Sequence, residues 1–223
     1  MGAGVLPTTI RNGKIWFLFG KENKFEKSAP GFSDFGGGPN GKESQFDTAI
    51  REGGEELTGF LGSDEQLRKM CTVRGTYNID LTAIKYRTHI FPMKYDPYIE
   101  KYYNNNQRFI QKHLDPEVIK TSKIFEKAEI KWICIDDLHK MRPKFRHFFA
   151  NVIDQIIEQK DDIEVFMKKL DGTRKLRELR EPTVPRTPPL FDSIKKEGVR
   201  VATKSSDEVS TPASSVAVEN FVF

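Results

Sequence analysis

Between Gly37 and Gly59 the chain reads GGPNGKESQFDTAIREGGEELTG. After the first glycine come five residues, Glu43, seven residues, Arg51-Glu52, two residues, then Glu55-Glu56. On a helix, Glu52, Glu55 and Glu56 stand at i, i+3 and i+4 and share one face. Phe46, Ala49, Ile50, Gly53 and Leu57 form the neighbouring apolar stripe, so the carboxylates lie beside the buried face and not opposite it. Three like charges so placed repel one another. A positive group must offset that cost, either an arginine or a divalent cation. Hard oxygen donors in this number suit Mg²⁺ or Mn²⁺ and not zinc. The preceding Gly36-Gly37-Gly38 lets the backbone approach a ligand closely, and could bring a carbonyl to the metal.

A Glu-rich helix face is usually only solvated, and a glycine cluster only a turn. Here six residues stand at fixed spacing. With each type used at roughly 6%, the coincidence is on the order of 10⁻⁷ per start position.

The elements that must position this stretch are legible in outline. Apolar runs Val5 to Ile10 and Ile15 to Phe19 flank Asn12-Gly13, a strong hairpin turn. A helix is expected over Gln45 to Leu57. Strands are expected near Thr72 to Tyr77, Thr82 to Met93 and Ile130 to Ile135. Phe145, Phe148, Phe149, Val152, Ile153, Ile156 and Ile157 recur at helical spacing, and a long closing helix is expected there. Strands and helices without a βαβ rhythm favour a mixed sheet packed by helices, an α+β arrangement.

The pattern resembles the Nudix box, Gly-x5-Glu-x7-Arg-Glu-U-x-Glu-Glu-x-Gly-U, with U a bulky aliphatic residue. The resemblance implies an α/β/α sandwich around a mixed sheet, and Mg²⁺-dependent hydrolysis of a diphosphate linked to another group. By that resemblance Gly37 would offer its carbonyl to a metal, and Glu52 and Glu56 would be side-chain metal ligands. Glu55 would bind or help activate a metal-bound water, so Glu52, Glu55 and Glu56 make up the catalytic set. Arg51 and Glu43 would hold loop and helix together. A further acid often comes from beyond the box, and Glu126 and Glu129 are the candidates here. Two departures stand out. Gly53 occupies the bulky position U, and Thr58 occupies the last glycine, with Gly59 one residue late. The implied substrate is a nucleoside-diphosphate-linked small molecule, with a capped RNA 5′ end as a further possibility. The rival reading is a non-catalytic Nudix-fold module that binds a nucleotide or a partner; possession of all three box acids favours catalysis.

Composition bounds the rest. The chain has 223 residues, and its net charge of +4 is too mild to argue nucleic-acid binding. Two cysteines, Cys71 and Cys134, exclude a disulfide scaffold and a cysteine zinc cluster, and suit a reducing compartment. No run approaches a membrane span, and no secretory signal is visible; the chain opens Met-Gly, but Leu6 stands where myristoylation wants Ser or Thr. A soluble intracellular protein is the expectation. Residues 1–170 are expected to form the domain and residues 171–223 a disordered tail, since five of twelve prolines fall there among Ser, Thr and mixed charges. The segment Tyr95 to Leu114 carries five aromatic residues and several amides, which could stack on a base and read its edge, or could pack a short helix. Six basic residues between Lys168 and Arg180 could help hold RNA or could form a solvated helix end.

Overall fold

The computed structural model describes residues 1–24, 30–122 and 126–178, with the backbone alone for residues 122 and 170–178. In chain order the elements are β1 (Gly2–Arg11), β2 (Lys14–Glu22), β3 (Phe32–Ser33), β4 (Phe35–Gly37), α1 (Gln45–Glu56), α2 (Asp64–Arg74), β5 (Tyr77–Leu81) and β6 (Tyr86–Pro92). They continue as α3 (Ile99–His113), α4 (Pro116–Ser122), β7 (Lys127–Cys134), α5 (Leu138–Met141), α6 (Ala150–Glu158) and α7 (Lys160–Glu178). The helix α7 runs eight residues past the expected domain end at residue 170, and most of the expected tail, from residue 179 on, lies outside the described residues.

Asn12 and Gly13 both take positive φ, 51° and 73°, and close the β1–β2 hairpin with Arg11 opposite Lys14. The two strands pair from Thr8 opposite Phe17 up to that turn. Beyond it they part, and the glycine-rich segment fills the gap: β3 pairs with β2, and β4 pairs with β1, placing Gly37 opposite Ala3 and Gly36 opposite Gly4. The other edge of β1 pairs with β6 in parallel, β5 follows antiparallel to β6, and β7 lies antiparallel to β2. The result is a mixed seven-stranded sheet.

Alternation along the strands sends side chains to two separate cores. Leu6, Phe17, Phe19 and Ile90 join Phe149, Val152, Ile153 and Ile156 under α6 and α7. Val5, Leu18 and Phe91 join Ala49, Ile50, Leu67 and Tyr103 under α1, α2 and α3. Helices therefore cover both faces, and the architecture is the expected α/β/α sandwich, α+β in class.

Local expectations fared unevenly. Phe145 and Phe149 are buried as expected, but they precede the closing helix, which begins at Ala150. The strand expected near Thr72 to Tyr77 starts only at Tyr77, as β5; Thr72 to Arg74 are the end of α2. Ser63 caps α2 through a reciprocal box with Gln66, Leu67 and Cys71 bury one face at i and i+4, and Gly75 at φ 72° ends it. The strand expected from Thr82 starts at Tyr86, because Thr82–Ile84 forms a 3₁₀ turn closed by Lys85 in the left-handed conformation.

Gly53, the departure from the box, has a packing reason. A Cβ there would lie 2.5 Å from Cγ2 of Val5, a fully buried residue of β1. The glycine lets α1 settle onto the sheet. Gly53→Leu, which restores the aliphatic residue, is therefore expected to lower stability by about 2 kcal/mol in urea unfolding. Helix propensity alone would raise it by roughly 1 kcal/mol, so the sign of the measured change decides between the two effects.

Candidate active site

Helix α1 begins at Ser44, whose Oγ accepts from the Asp47 backbone N–H at 3.1 Å. Just ahead of it, Glu43 turns back and accepts from the Asn40 N–H at 2.8 Å, tying the glycine loop to the helix start. Arg51, two turns into the helix, reaches the same carboxylate with Nε at 2.9 Å and Nη2 at 3.1 Å. Its Nη2 also donates to the Gly38 carbonyl at 2.9 Å and lies 2.9 Å from Glu52 Oε1, and its Nη1 donates to Glu55 at 3.2 Å. One guanidinium thus gathers three carboxylates and the loop backbone. These partners, Glu43 first, hold its pKa above the ordinary arginine value. The charge that the sequence demanded to offset the glutamates is supplied, in the first place, by the protein itself.

The three box acids have different surroundings. Glu52 is half-buried, with its carboxylate packed on the loop. A Cβ at Gly37 would lie 2.6 Å from the Glu52 carboxyl carbon, so no residue but glycine fits there without movement. Burial pushes the Glu52 carboxyl above its usual range, and the charges of Glu55 and Glu126 push the same way, against Arg51. Glu55 is exposed at the rim. Glu56 points inward: its Oε2 accepts from the Gly36 N–H at 2.8 Å, and its Oε1 lies 3.2 Å from Nζ of Lys127, whose side chain is fully buried.

Lys127 was not singled out by the sequence, and its partners explain why. Its ammonium also pairs with Glu22 and donates to Ser33 at 2.9 Å, and Glu22 in turn pairs with Arg146 at 2.7 Å. Burial works against the charged lysine, but Glu56 and Glu22 outweigh it and hold its pKa above the ordinary value. Nearby, Asp34 accepts from the hydroxyls of Thr88 at 2.7 Å and Tyr86 at 2.8 Å; burial pushes its pKa up to about 6.

The two candidates beyond the box separate. Glu126 lies where its charge acts on Glu52. Glu129 stands opposite Lys21 on β7 and pairs with it at 3.3 Å. The aromatic segment is mostly α3. Tyr103 is buried and donates to the Glu56 carbonyl at 2.7 Å, and Asn104 bonds both the N–H and the carbonyl of Ile130. These two pin α3 to α1 and β7. Tyr98, Tyr102 and Phe109 are exposed. A cavity of about 610 Å³ lined by Met70, Arg74, Met93 and Tyr95 lies at the opposite end of β1, since Met93 bonds Thr8 whereas Gly37 faces Ala3.

Among the described residues, no group of three or more His, Cys, Asp and Glu side chains is arranged to hold a metal ion by itself. Mg²⁺, however, is commonly held by one or two carboxylates together with substrate phosphates and water. Glu55 at the rim and Glu52, packed on the Gly37 backbone, are hard donors of that kind, and the cradle that excludes a Cβ at Gly37 brings the Glu52 carboxylate and the loop backbone together. The donor set fits such an ion.

No family model matches the chain. An uncharacterized protein of Acanthamoeba polyphaga mimivirus is 43% identical over 58 residues, which span 25% of this chain and 19% of that protein's length. In fold, a Nudix hydrolase from M. smegmatis aligns over 73% of this chain and 87% of its own at 14% identity and a TM-score of 0.43. An Ap4A hydrolase from C. elegans aligns over 78% and 98% at 15% identity and 0.37, and the NUDIX domain of Shewanella oneidensis NrtR, complexed with ADP ribose, over 71% and 86% at 12% and 0.37. It is through the box from Gly37 to Gly59 that the chain resembles the Nudix hydrolases.

Proposed function

We propose that the chain is a Nudix-type pyrophosphohydrolase that cleaves a diphosphate linked to another moiety, with Mg²⁺ or Mn²⁺ at the Gly37, Glu52 and Glu55 rim. The observation that carries this reading is the Arg51 clamp. It draws Glu43, Glu52, Glu55 and the Gly38 carbonyl into one unit, which brings the glycine loop against the carboxylate face of α1. A plain solvated helix face needs no such unit.

When bound, the metal would neutralise phosphate oxygens and lower the pKa of a coordinated water. The chain's own residues do the rest. Glu52, held against Gly37, fixes negative charge at one place on the rim. Glu55, exposed on the same face, can orient a water or take its proton. Arg51 keeps the two carboxylates apart from the apolar stripe and at fixed separation from the loop. Glu126 adds negative charge near Glu52 and is the better placed of the two further acids. Glu56 faces inward and serves the loop through the Gly36 N–H.

The favoured substrate class is a nucleoside diphosphate derivative: a free nucleotide, a nucleotide sugar, a dinucleoside polyphosphate or a capped RNA 5′ end. The three exposed aromatics at the start of and along α3, Tyr98, Tyr102 and Phe109, are available for base stacking. Among the described residues no helix is long and apolar enough to cross a membrane, and a membrane partner is not part of the reading. The test is a panel of these compounds incubated with Mg²⁺ or Mn²⁺ and read by product chromatography. Release of a phosphorylated product from one class supports hydrolysis. Binding of a nucleotide without turnover of any compound would favour the non-catalytic module instead.

A further inference from the structure

Behind the glycine loop Glu22 faces Lys127 and Arg146, and Glu56 faces Lys127, with the buried Asp34 carboxyl nearby. All but Arg146 are nearly inaccessible to solvent, and Arg146 is largely covered. Glu56 is four residues from Glu52 on one helix face, yet its two oxygens are engaged by the Gly36 N–H and the Lys127 ammonium. Arg51, by contrast, reaches Oε1 of Glu52 and Oε2 of Glu55, and Glu55 is open to solvent, so a divalent ion meets less there than at Glu56, where both oxygens are taken and the side chain is covered. The Lys127 side chain is fixed from several sides: besides Glu56 and Glu22 its ammonium meets the Ser33 hydroxyl, and its stem packs where a Cβ on Gly20 would lie 2.9 Å away. It is seated in the sheet and does not swing in from the surface.

We propose that Lys127 is a built-in cation of this site: its ammonium neutralises Glu56 and Glu22, makes Glu56 the strut that holds the glycine loop, and confines divalent-metal binding to Glu52 and Glu55, the box acids it does not touch. Glu56 is then a positioning residue that acts through Gly36, although the box resemblance would make it a ligand. The inference rests on the metal-dependent reading above.

The test titrates Mn²⁺ alone against the full chain by electron paramagnetic resonance, with thermal unfolding in the absence of metal as a second readout. Glu56→Gln is expected to keep the wild-type Mn²⁺ stoichiometry and an affinity within about threefold, because the amide still accepts from Gly36 N–H. Glu52→Gln is expected to weaken binding at least tenfold. Lys127→Met leaves Glu56 without its ammonium and Glu22 with Arg146 alone, so the metal-free protein melts lower and takes up one Mn²⁺ more than wild type. The double variant Glu56→Gln with Lys127→Met removes opposite charges together. It is expected to recover part of the melting temperature and to lose the extra ion, a coupling that no separate role for the two residues would produce. A tenfold loss in folded Glu56→Gln, or wild-type stoichiometry in folded Lys127→Met, overturns the proposal while the metal-dependent reading stands. Wild-type chain that binds no Mn²⁺ overturns that reading, and the proposal with it. Should Lys127→Met fail to fold, the Glu56→Gln titration alone decides.

Discussion

On the proposed function, Glu52→Gln is expected to fold normally and to turn over a pyrophosphate substrate about a thousandfold more slowly than wild type. The substitution is nearly isosteric, so the amide occupies the same space against Gly37, where a Cβ already has no room. It keeps an oxygen to accept from Arg51, whose Nη2 lies 2.9 Å away, and it removes a half-buried charge that burial disfavours. Folding stability should therefore hold or rise. What would be lost, on the proposed function, is the negative charge that holds a cation against the phosphates. Water must then attack a polyanion that is less neutralised, and a loss of about 4 kcal/mol of transition-state stabilisation slows the reaction roughly a thousandfold. Substrate affinity should change much less, because the substitution leaves every group outside the rim in place. The measurement is kcat and KM for both proteins on the compound found in the panel, with circular dichroism as the fold check. A folded variant with near wild-type kcat would remove Glu52 from the machinery.

The features that could be read from the sequence are those whose causes lie close together in the chain. Asn12-Gly13 specifies its hairpin with two residues, and Ser44 to Leu57 carries both the capping residue and the amphipathic stripe of α1. The need for a positive group near Glu52 and Glu55 was also local, because Arg51 is on the same helix. Over Thr72 to Arg74, where a strand is expected, the Ser63 cap and the burial of Leu67 and Cys71 set helical geometry from the other end, against the β-branched Thr72 and Val73, and β5 starts only at Tyr77. Lys127 left no such trace. Glu22, Ser33 and Glu56 are distant in the chain and converge because β2, β3 and α1 meet at the head of β7. A lone lysine at the start of a strand reads as solvated until that convergence is seen. Gly53 is intermediate. The sequence marked it as a departure, and its cause, the closeness of Val5, belongs to the packing of α1 on β1.

Removing the guanidinium should be the other large effect, and it should appear first in stability. Arg51→Met keeps the aliphatic stem and the helix but deletes five polar contacts, leaving Glu43, Glu52 and Glu55 facing one another and the Gly38 carbonyl without its donor. Breaking a fully buried pair by removing one partner costs about 3–5 kcal/mol. Arg51 is partly exposed, with 24% of its side chain accessible, and Glu55 is largely solvated, so water screens part of the repulsion. A loss of about 2–3 kcal/mol is expected, or a fall of about 5–10 °C in Tm for a domain of this size. Arg51→Lys should recover little of it, since an ammonium cannot hold Glu43 with two parallel bonds while reaching Gly38. The same repulsion makes the variant more responsive to metal. A divalent ion at Glu52 and Glu55 replaces charge that wild type already has from Arg51, so millimolar Mg²⁺ should raise the Tm of Arg51→Met by more than it raises that of wild type. Thermal unfolding with and without Mg²⁺ measures both effects. An unchanged Tm without metal would mean that the loop and helix hold together without the clamp. A metal response no larger than that of wild type would mean that the ion and the guanidinium do not share Glu52 and Glu55.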